Sequence, residues 1–449
     1  MADYARIFKA YDIRGIVPDD LDETIAEAVG AAFVRLTGAR SVVTAHDMRT
    51  SSPGLAAAFG RGAAAQGADV IAAGLGSTDL LYYASGSLDI PGAMVTASHN
   101  PAKYNGIKLC RAGARPVGAE TGLVELQEMV ANGVPAYDGT PGAITERDLL
   151  PGYADYLRTL VDLSGIRPLK VVVDAGNGMG GYTVPRVFDG LPIQTVPLYF
   201  ELDGNFPHHE ANPIDPKNLV DLQNAVVDAG ADIGLAFDGD ADRCFVVDER
   251  GEIVSPSVLT ALIAVRELGR VPGSAIIHNL ITSRAVPEII REHGGTPVRT
   301  RVGHSFIKAT MAESDAVFGG EHSGHFYFRD FWFADSGMLA ALHVLAALGT
   351  TDRPLSELLA QYSRYVATGE INSEVADQAA ASARVAAAFA GQPGVTTDEL
   401  DGLTVSAPDW WFNVRPSNTE PLLRLNAEAS QADTLGKIRD EVLGIIRAR

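Results

Sequence analysis

Cysteine is nearly missing: Cys110 and Cys244 are the only two in 449 residues. Two thiols are too few for a disulfide framework or a zinc site, and a reducing cytoplasm is the expected home. Basic residues are also in deficit, with 36 Lys plus Arg against 56 Asp plus Glu and a formal net charge of −20. That balance argues against a nucleic-acid partner, whose phosphates reward a basic surface. It leaves room for a phosphorylated small substrate, because a few converging Arg and Lys set the potential inside a cleft whatever the total charge. Long apolar runs are lacking as well. The longest stretch free of Asp, Glu, Lys and Arg runs from Ser336 to Thr351 and includes His343. It is shorter than the roughly 18 to 20 apolar residues of a membrane span and reads as a buried helix, so no membrane partner is expected. The opening MADYARIFKAYDIRG mixes both charge signs without an apolar core, which reads as no secretory signal.

What is present is an ordinary globular composition, 46% hydrophobic and 20% charged, with 46 Gly and 24 Pro to supply turns. At roughly 150 residues per domain the length predicts about three domains. Three segments share one pattern, a β-branched apolar run ending in a polar or glycine-rich loop and followed by helical periodicity. They are SVVTAHDMRTSS from Ser41, KVVVDAGNGMGG from Lys170 and SAIIHNLITSRAV from Ser274, and each reads as the opening strand of an α/β unit. Boundaries are expected near Gly165 and between Asp248 and Pro256, where Gly and Pro punctuate the chain. From about residue 366 an Ala-rich helix (Val375 to Ala390), short strands in LTVSAP, WWFNVRP and LLRLNAEA, and a terminal helix from Gln431 read as a smaller α+β domain. The predicted class is therefore α/β: three tandem mixed α/β sandwiches plus a C-terminal α+β domain.

Four loops carry candidate chemistry. In IGLAFDGDADRCFVVD, Asp238, Asp240 and Asp242 alternate between two apolar runs. Carboxylates that close together raise one another's pKa unless a cation neutralises them, and hard oxygen ligands in a tight loop suit Mg²⁺. An EF-hand also begins D-x-D-x-D, but Arg243 stands where that loop needs Gly. In AMVTASHNPAKYNGIKL, Ser98 is flanked by small residues that leave its hydroxyl open, while His99 in an extended chain would point away from it. WWFNVRPSNTEP gathers Arg415, Ser417, Asn418 and Thr419 in one turn, a guanidinium fork with hydroxyls suited to a phosphate. FGGEHSGHFYF offers Glu321 and Ser323 to sugar hydroxyls, with His322 and His325 open to either structural or functional use. Gly176, Gly178 and Gly181 fit G-x-G-x-x-G with Asp203 about 20 residues beyond, yet Pro185 and the turn-like DGNFP speak against a dinucleotide site.

TASHNP, DGDADR, GEHSGH and RPSNTEP, in that order and together with FKAYDIRG, HDMRTSS, NGIK and VGHSFIK, resemble the α-D-phosphohexomutase family, most of all its bacterial phosphomannomutase/phosphoglucomutase branch. The resemblance covers essentially the whole chain. It implies four domains around a central cleft, taken as 1–150 with a phosphoserine loop, 151–252 with a metal loop, 253–365 with a sugar loop and 366–449 with a phosphate loop. By this resemblance Ser98 carries a phosphoryl group, and Asp238, Asp240 and Asp242 bind Mg²⁺ together with Ser98. Arg243 then lies against the transferring group, and Lys108, His325 and Arg14 are the acid–base candidates. Glu321, Ser323 and His304 would contact the sugar, while Arg415, Ser417, Asn418 and Thr419 would clamp the non-reacting phosphate. The implied reaction interconverts hexose 1-phosphate and 6-phosphate, with mannose phosphates foremost and glucose phosphates also accepted. It passes through phosphoserine and a hexose 1,6-bisphosphate, which also serves as activator. Trapping that intermediate implies a hinge near Tyr365 to Ile371. A monomer or homodimer is expected.

Two departures from the family stand out. Leu280 occupies a position where branch members usually carry lysine, and His322 one where Met is common. Alternative readings are a phosphoglucosamine mutase, disfavoured by RPSNTEP, and an aspartyl-phosphate phosphatase using Asp238 as nucleophile. A sugar-phosphate sensor without catalysis is a third.

Overall fold

The computed structural model describes residues 4–417 and 422–448, apart from the side chains of His304 and Ser305. Four sheets follow one another along the chain. The first runs, edge to edge, Ile13–Ile16, Tyr104–Arg111, Gly92–Val95, Ser41–His46, Asp69–Leu75 and Ile144–Glu146, with Arg115–Pro116 also pairing to Tyr104–Arg111. The second has Leu169–Asp174 and Ile233–Phe237 in parallel at its heart, and the third places Ala275–Asn279 parallel to both Thr296–Thr300 and Phe318–Gly320. The fourth, from Val366–Glu374 to Thr396–Asp398, is antiparallel throughout. These are three mixed α/β units and a smaller C-terminal domain.

The β-branched runs are unbroken because parallel interior strands are covered on both faces. Val42, Val43, Val171, Val172, Val173, Ile276 and Ile277 are all fully buried. Ser41–His46 is not the opening strand of its unit, however. The four-residue Ile13–Ile16 precedes it and pairs antiparallel with Tyr104–Arg111, and its Arg and Gly gave no apolar signal. A second strand that the sequence hid is Val366–Glu374, whose VATGEINSE is mostly exposed and broken by a bulge between Ala367 and Glu370.

The three α/β units share a continuous core. One buried cluster runs from Val43 and Met94 through Tyr153 and Val171 to Phe318 and Leu345. The segment read as a buried helix is one: every residue of Gly337–Gly349 is buried. The C-terminal domain instead keeps a core of its own around Phe389, Phe412 and Val442. It meets the third unit through a small patch of Leu280, Ile281 and Trp411. In each sheet one hairpin carries one of the four sequence motifs, and these hairpins converge on the cleft.

Candidate active site

Ser98 follows the buried strand Gly92–Val95 and takes a left-handed backbone, φ +50°. That conformation costs a non-glycine residue roughly 1–2 kcal/mol, so something must hold it. Its amide donates to Thr96 Oγ1 at 2.9 Å, and the Thr96 hydroxyl donates to Asp47 Oδ2 at 2.7 Å. Arg49, wholly buried, donates to the carbonyls of Ser98 (2.8 Å), Asn100 (2.6 Å), Pro101 and Tyr104 (both 3.0 Å), while its Nε reaches Asp47 at 3.2 Å. The turn is thus fastened by one guanidinium. The same φ overturns the expectation that Ser98 and His99 point apart, since Ser98 Oγ lies 3.2 Å from His99 Nδ1. Burial, then the nearby Arg243 and Arg14, push the His99 pKa well below its usual value, so this imidazole is neutral.

The acidic hairpin stands directly opposite. Ser98 Oγ donates to Asp238 Oδ2 at 2.8 Å, and Arg243 donates to Asp238 from its amide (3.1 Å) and its Nε (2.9 Å). Lys108 Nζ donates to Asp240 Oδ2 at 2.7 Å and Asp242 Oδ2 at 2.6 Å, and Thr78 Oγ1 also donates to Asp240 at 2.6 Å. Burial pushes the Asp238 carboxyl up, against Arg243 and with Asp242 and Asp240 adding to the rise. Asp240 goes the other way: burial raises it, but the charge and hydrogen bond of Lys108, with Thr78 and Arg243, together outweigh that penalty.

The residues present fit a divalent cation. Asp238, Asp240 and Asp242 bring ligand oxygens within 4.8 Å of one another. Oδ1 of Asp240 and Oδ1 of Asp242 are buried without a hydrogen-bond partner, which is costly for a carboxylate unless a cation completes it. Among the described residues, Lys108 and Arg243 are the Lys and Arg side chains that form ion pairs with these three carboxylates. A second group, Asp242, His325 and Asp335, is equally close, but Lys308 Nζ stands 2.6 Å from Asp335 Oδ1 and already neutralises it.

The third hairpin supplies Glu321, Ser323 and His325. Glu321 is buried and fixed, accepting from Tyr327 OH at 2.7 Å and the Gly303 amide at 3.3 Å. The His325 ring is set between Ser323 Oγ, 2.8 Å from Nδ1, and Asp242 Oδ1, 3.7 Å from Nε2. Arg14 donates to Asn100 Oδ1 at 2.7 Å and pairs with Asp12. In the fourth hairpin Arg415 Nη2 is held by Glu370 Oε2 at 2.7 Å, and Arg424 donates to Ser417 Oγ at 3.3 Å. Asn418 and Thr419 lie outside the described residues, as does the His304 side chain. A cleft of about 1450 Å³ joins the hairpins, lined by Arg14, Ser98, Lys108, Asp242 and His325 together with Arg415 and Ser417.

Of the two departures, Leu280 is buried in the patch against Trp411, and burial pushes the His322 pKa down. The glycines of the dinucleotide-like run serve packing. A Cβ on Gly178 would stand 2.7 Å from the Gly239 carbonyl oxygen, and one on Gly239 would stand 2.4 Å from that of Ser98. Sequence reasoning missed Asp47, Arg49, Thr78, Tyr327 and Glu370 as supports. HDMRTSS was visible as a motif, but its partners are carbonyl oxygens about fifty positions away.

Comparison with known proteins agrees along the whole chain. The phosphoglucomutase/phosphomannomutase models match in four parts: α/β/α domain I over residues 5–132, domain II over 151–251, domain III over 256–365 and the C-terminal domain over 370–445. A phosphomannomutase of Salmonella montevideo is 40% identical over 431 residues, covering 94% of each chain. A protein of Xanthomonas campestris pv. campestris described under phosphohexose mutases is 41% identical over 443 residues, covering 98% of this chain and 99% of its own. The crystal structure of a Burkholderia thailandensis protein of the phosphoglucomutase/phosphomannomutase family superposes with a TM-score of 0.89 at 34% identity, covering 98% of this chain and 97% of that one. Among the described residues no helix is long and apolar enough to cross a membrane.

Proposed function

Since the chain belongs to the phosphoglucomutase/phosphomannomutase family, we propose that it interconverts hexose 1-phosphate and hexose 6-phosphate. Mannose phosphates are the foremost substrates and glucose phosphates are also accepted. Ser98 carries the exchanged phosphoryl group and a hexose 1,6-bisphosphate is both intermediate and activator. The observation that carries this reading is the Ser98 hydroxyl aimed at Asp238, beside two orphaned carboxylate oxygens and across one cleft from Arg415.

In the forward half-reaction the free O1 or O6 of the sugar attacks the phosphorus on phospho-Ser98. The bond from phosphorus to Ser98 Oγ breaks with its electron pair staying on Oγ, which takes up a proton to become the hydroxyl again, while the sugar hydroxyl gives up one proton, so the step is balanced. His325 is our candidate to receive that proton. Its Nδ1 is oriented by Ser323, and its Nε2 faces the acidic hairpin. Lys108, tied to two carboxylates, stays an ammonium and steadies phosphoryl charge. Arg243 does the same from the other side of Asp238, while Arg14 holds the Ser98 turn through Asn100. Asp238, Asp240 and Asp242 would hold a Mg²⁺ ion, which would supply the charge neutralisation that an electron-rich hydroxyl needs to approach a phosphoserine of charge about −1.5 to −2.

Glu321 and Ser323, with His304, grip sugar hydroxyls in either ring orientation. Arg415, Ser417, Asn418 and Thr419 hold whichever phosphate is not reacting. The bisphosphate reorients between half-reactions, and Ser98 takes back the other phosphoryl group. We take the four units as 1–150, 151–252, 253–365 and 366–449, working as a monomer or homodimer in the cytoplasm, where the buried thiols of Cys110 and Cys244 stay reduced.

The test is a parallel rate comparison. Mannose 1-phosphate and glucose 1-phosphate are supplied with Mg²⁺ and a trace of hexose 1,6-bisphosphate, and the 6-phosphates are scored. Turnover of either is the expected result, and the ratio of the two kcat/KM values ranks the sugars. Release of free phosphate without any 6-phosphate would overturn the mutase and transfer the nucleophile's role to Asp238.

A further inference from the structure

The turn DGNFP, residues 203–207, is not among the segments that line the catalytic cleft, yet it is firmly built. Asn177, in the glycine-rich run after the strand Leu169–Asp174, accepts from the Asp203 amide on its carbonyl at 3.1 Å and donates from Nδ2 to the Glu201 carbonyl at 2.8 Å. Asp203 accepts in turn from the Asn205 amide on Oδ1 at 2.8 Å and from the Phe206 amide on its carbonyl at 3.1 Å. The product is a left-handed backbone at Phe206, φ +51°. Bulky residues rarely take that conformation, and it persists where the surroundings over-determine it.

What this turn meets is Arg49. Gly204 is buried against the Arg49 backbone, where an added Cβ would stand 2.6 Å from Arg49 Cα. The guanidinium carbon of Arg49 lies over the face of the Phe206 ring, 5.0 Å from its centroid. A guanidinium carries five N–H donors in one plane, and here each has an acceptor. Nε is on Asp47, one terminal nitrogen is on the carbonyls of Pro101 and Tyr104, and the other is on those of Ser98 and Asn100. With the plane full, only the faces of the group remain. Arg49 is 1% exposed, so the ring meets a cation out of water, where attraction to a π face is strongest. An aromatic ring is also a partner that does not compete for the N–H groups, and it keeps away water that would.

We propose that Phe206 is a positioning residue for phosphoryl transfer: by covering the Arg49 guanidinium it keeps the five donors on their acceptors, and so holds the Ser98 turn opposite Asp238. This rests on the reading of Ser98 as the phosphoryl carrier. A guanidinium that tilts lets go of the Ser98 and Asn100 carbonyls, and the left-handed turn at Ser98 then relaxes. Misplacing the reacting oxygen lowers kcat, whereas the groups assigned to the sugar and the non-reacting phosphate lie on other hairpins, so KM is spared. The contact also fastens two units together, since Arg49 belongs to the one that carries Ser98 and Phe206 to the one that carries the acidic hairpin.

The test compares Phe206→Leu and Phe206→Tyr with the unsubstituted full-length protein. Leucine keeps apolar bulk on the same backbone and removes the π face, and tyrosine keeps both. With glucose 1-phosphate, Mg²⁺ and a trace of hexose 1,6-bisphosphate, kcat is expected to fall roughly 2- to 30-fold in Phe206→Leu, the rate equivalent of a cation–π contact. KM stays as it was, and Phe206→Tyr regains most of the loss. Hydrogen exchange of the Ser98 and Asn100 amides, which donate to Thr96 Oγ1 and the Ala97 carbonyl, is expected to quicken in Phe206→Leu. Exchange of the Val43 amide, which donates to the Pro91 carbonyl in the same unit, stays at the parent rate. A parental kcat in Phe206→Leu overturns the proposal, as does a loss that falls on KM or is not regained in Phe206→Tyr. If the unsubstituted protein turns over no hexose phosphate, the reading of the reaction fails and exchange alone decides: Ser98 and Asn100 amides as protected as in the parent, or quickened no more than Val43, overturn the positioning role.

Discussion

The three α/β units and the C-terminal domain are joined to their neighbours in opposite ways. The first three share one buried core, and their catalytic hairpins are locked by charge: Arg49 to the Ser98 turn, Ser98 to Asp238, Lys108 to Asp240 and Asp242. The C-terminal domain is attached by a patch centred on Trp411 and by polar links at the surface. Arg284 donates to the carbonyls of Ala407, Pro408 and Trp410, and the Val302 amide donates to Asp401 at 3.1 Å. On the proposed mechanism the groups that make and break bonds therefore sit on the fused part, and Arg415, the proposed phosphate clamp, sits on the part with the smaller interface. A fused face keeps a phosphoryl group and its neutralising charges in register. On the same proposal a less firmly attached clamp would let a bisphosphate turn over without leaving.

The sharpest break in that contrast is Ser98→Ala. Without the hydroxyl no phosphoryl group can be carried, and kcat falls by at least roughly 10³-fold. Binding of glucose 1-phosphate by calorimetry changes little, because the clamp is untouched. Activity that survives, with phosphate released, would instead identify a phosphatase. Arg415→Ala works from the other side. A charged hydrogen bond to phosphate is worth about 1.5–3 kcal/mol, so the loss is roughly 10- to 150-fold and appears mainly in KM. If both variants lowered kcat alone, the division of labour between the two regions would be wrong.

How much of this could be read in the sequence follows the same divide between local and long-range structure. The hairpins were legible because each is an apolar run, a polar loop and a second apolar run, and the acidic triad was legible because its three members alternate within five residues. The supports were not. Arg49 works on carbonyl oxygens, which carry no residue-type signal, and Asp79 is an unremarked residue in GSTDLL until the fold brings Tyr153 and Ser336 to it. The Ser98–His99 contact was misjudged from extended geometry, since a left-handed turn at Ser98 cannot be inferred from TASHNP. The strand Val366–Glu374 escaped because an exposed edge needs no apolar alternation.

Asp79 gives a way to test the fused side by itself. It is fully buried and accepts from Ser77, from Tyr153 OH at 2.7 Å and from Ser336 Oγ at 2.6 Å, drawing together the first unit, the helix Leu150–Leu160 and the cap of the helix Gly337–Gly349. Burial, opposed by these three hydroxyl donors, pushes its carboxyl up to about 6 from 3.8. A carboxyl whose pKa is raised on folding stays protonated in the native state while the unfolded chain ionises. The fused core therefore loses stability as pH rises from the unfolded pKa toward about 6, and the loss is complete above that. Between about pH 5 and pH 7 this amounts to roughly 1 kcal/mol. Asp79→Asn removes that dependence. The expected calorimetric result is a main-transition Tm in which the variant gains on the parent as pH rises through this window. A constant difference between the two would mean that Asp79 is not a titrating joint.

The smallest effect concerns the detachable side. The links that hold the C-terminal domain are few, and the connecting strand Val366–Glu374 is bulged between Ala367 and Glu370, the stretch in which a hinge was expected. A bulge absorbs backbone rotation more easily than a regular ladder does. Glu370, at that bulge, is also the residue that holds Arg415, so on the proposed function a phosphate that draws Arg415 toward the cleft would pull on the bulged strand directly. Solution scattering on the unliganded protein should give a radius of gyration near ~22 Å, falling when a hexose phosphate is bound. Arg284→Ala removes one of the surface links without touching the cleft. It should therefore enlarge the unliganded form and widen the ligand-induced compaction. No compaction in either protein would mean that the clamp is as fixed as the chemistry it faces, and that the bisphosphate turns over inside a rigid cleft.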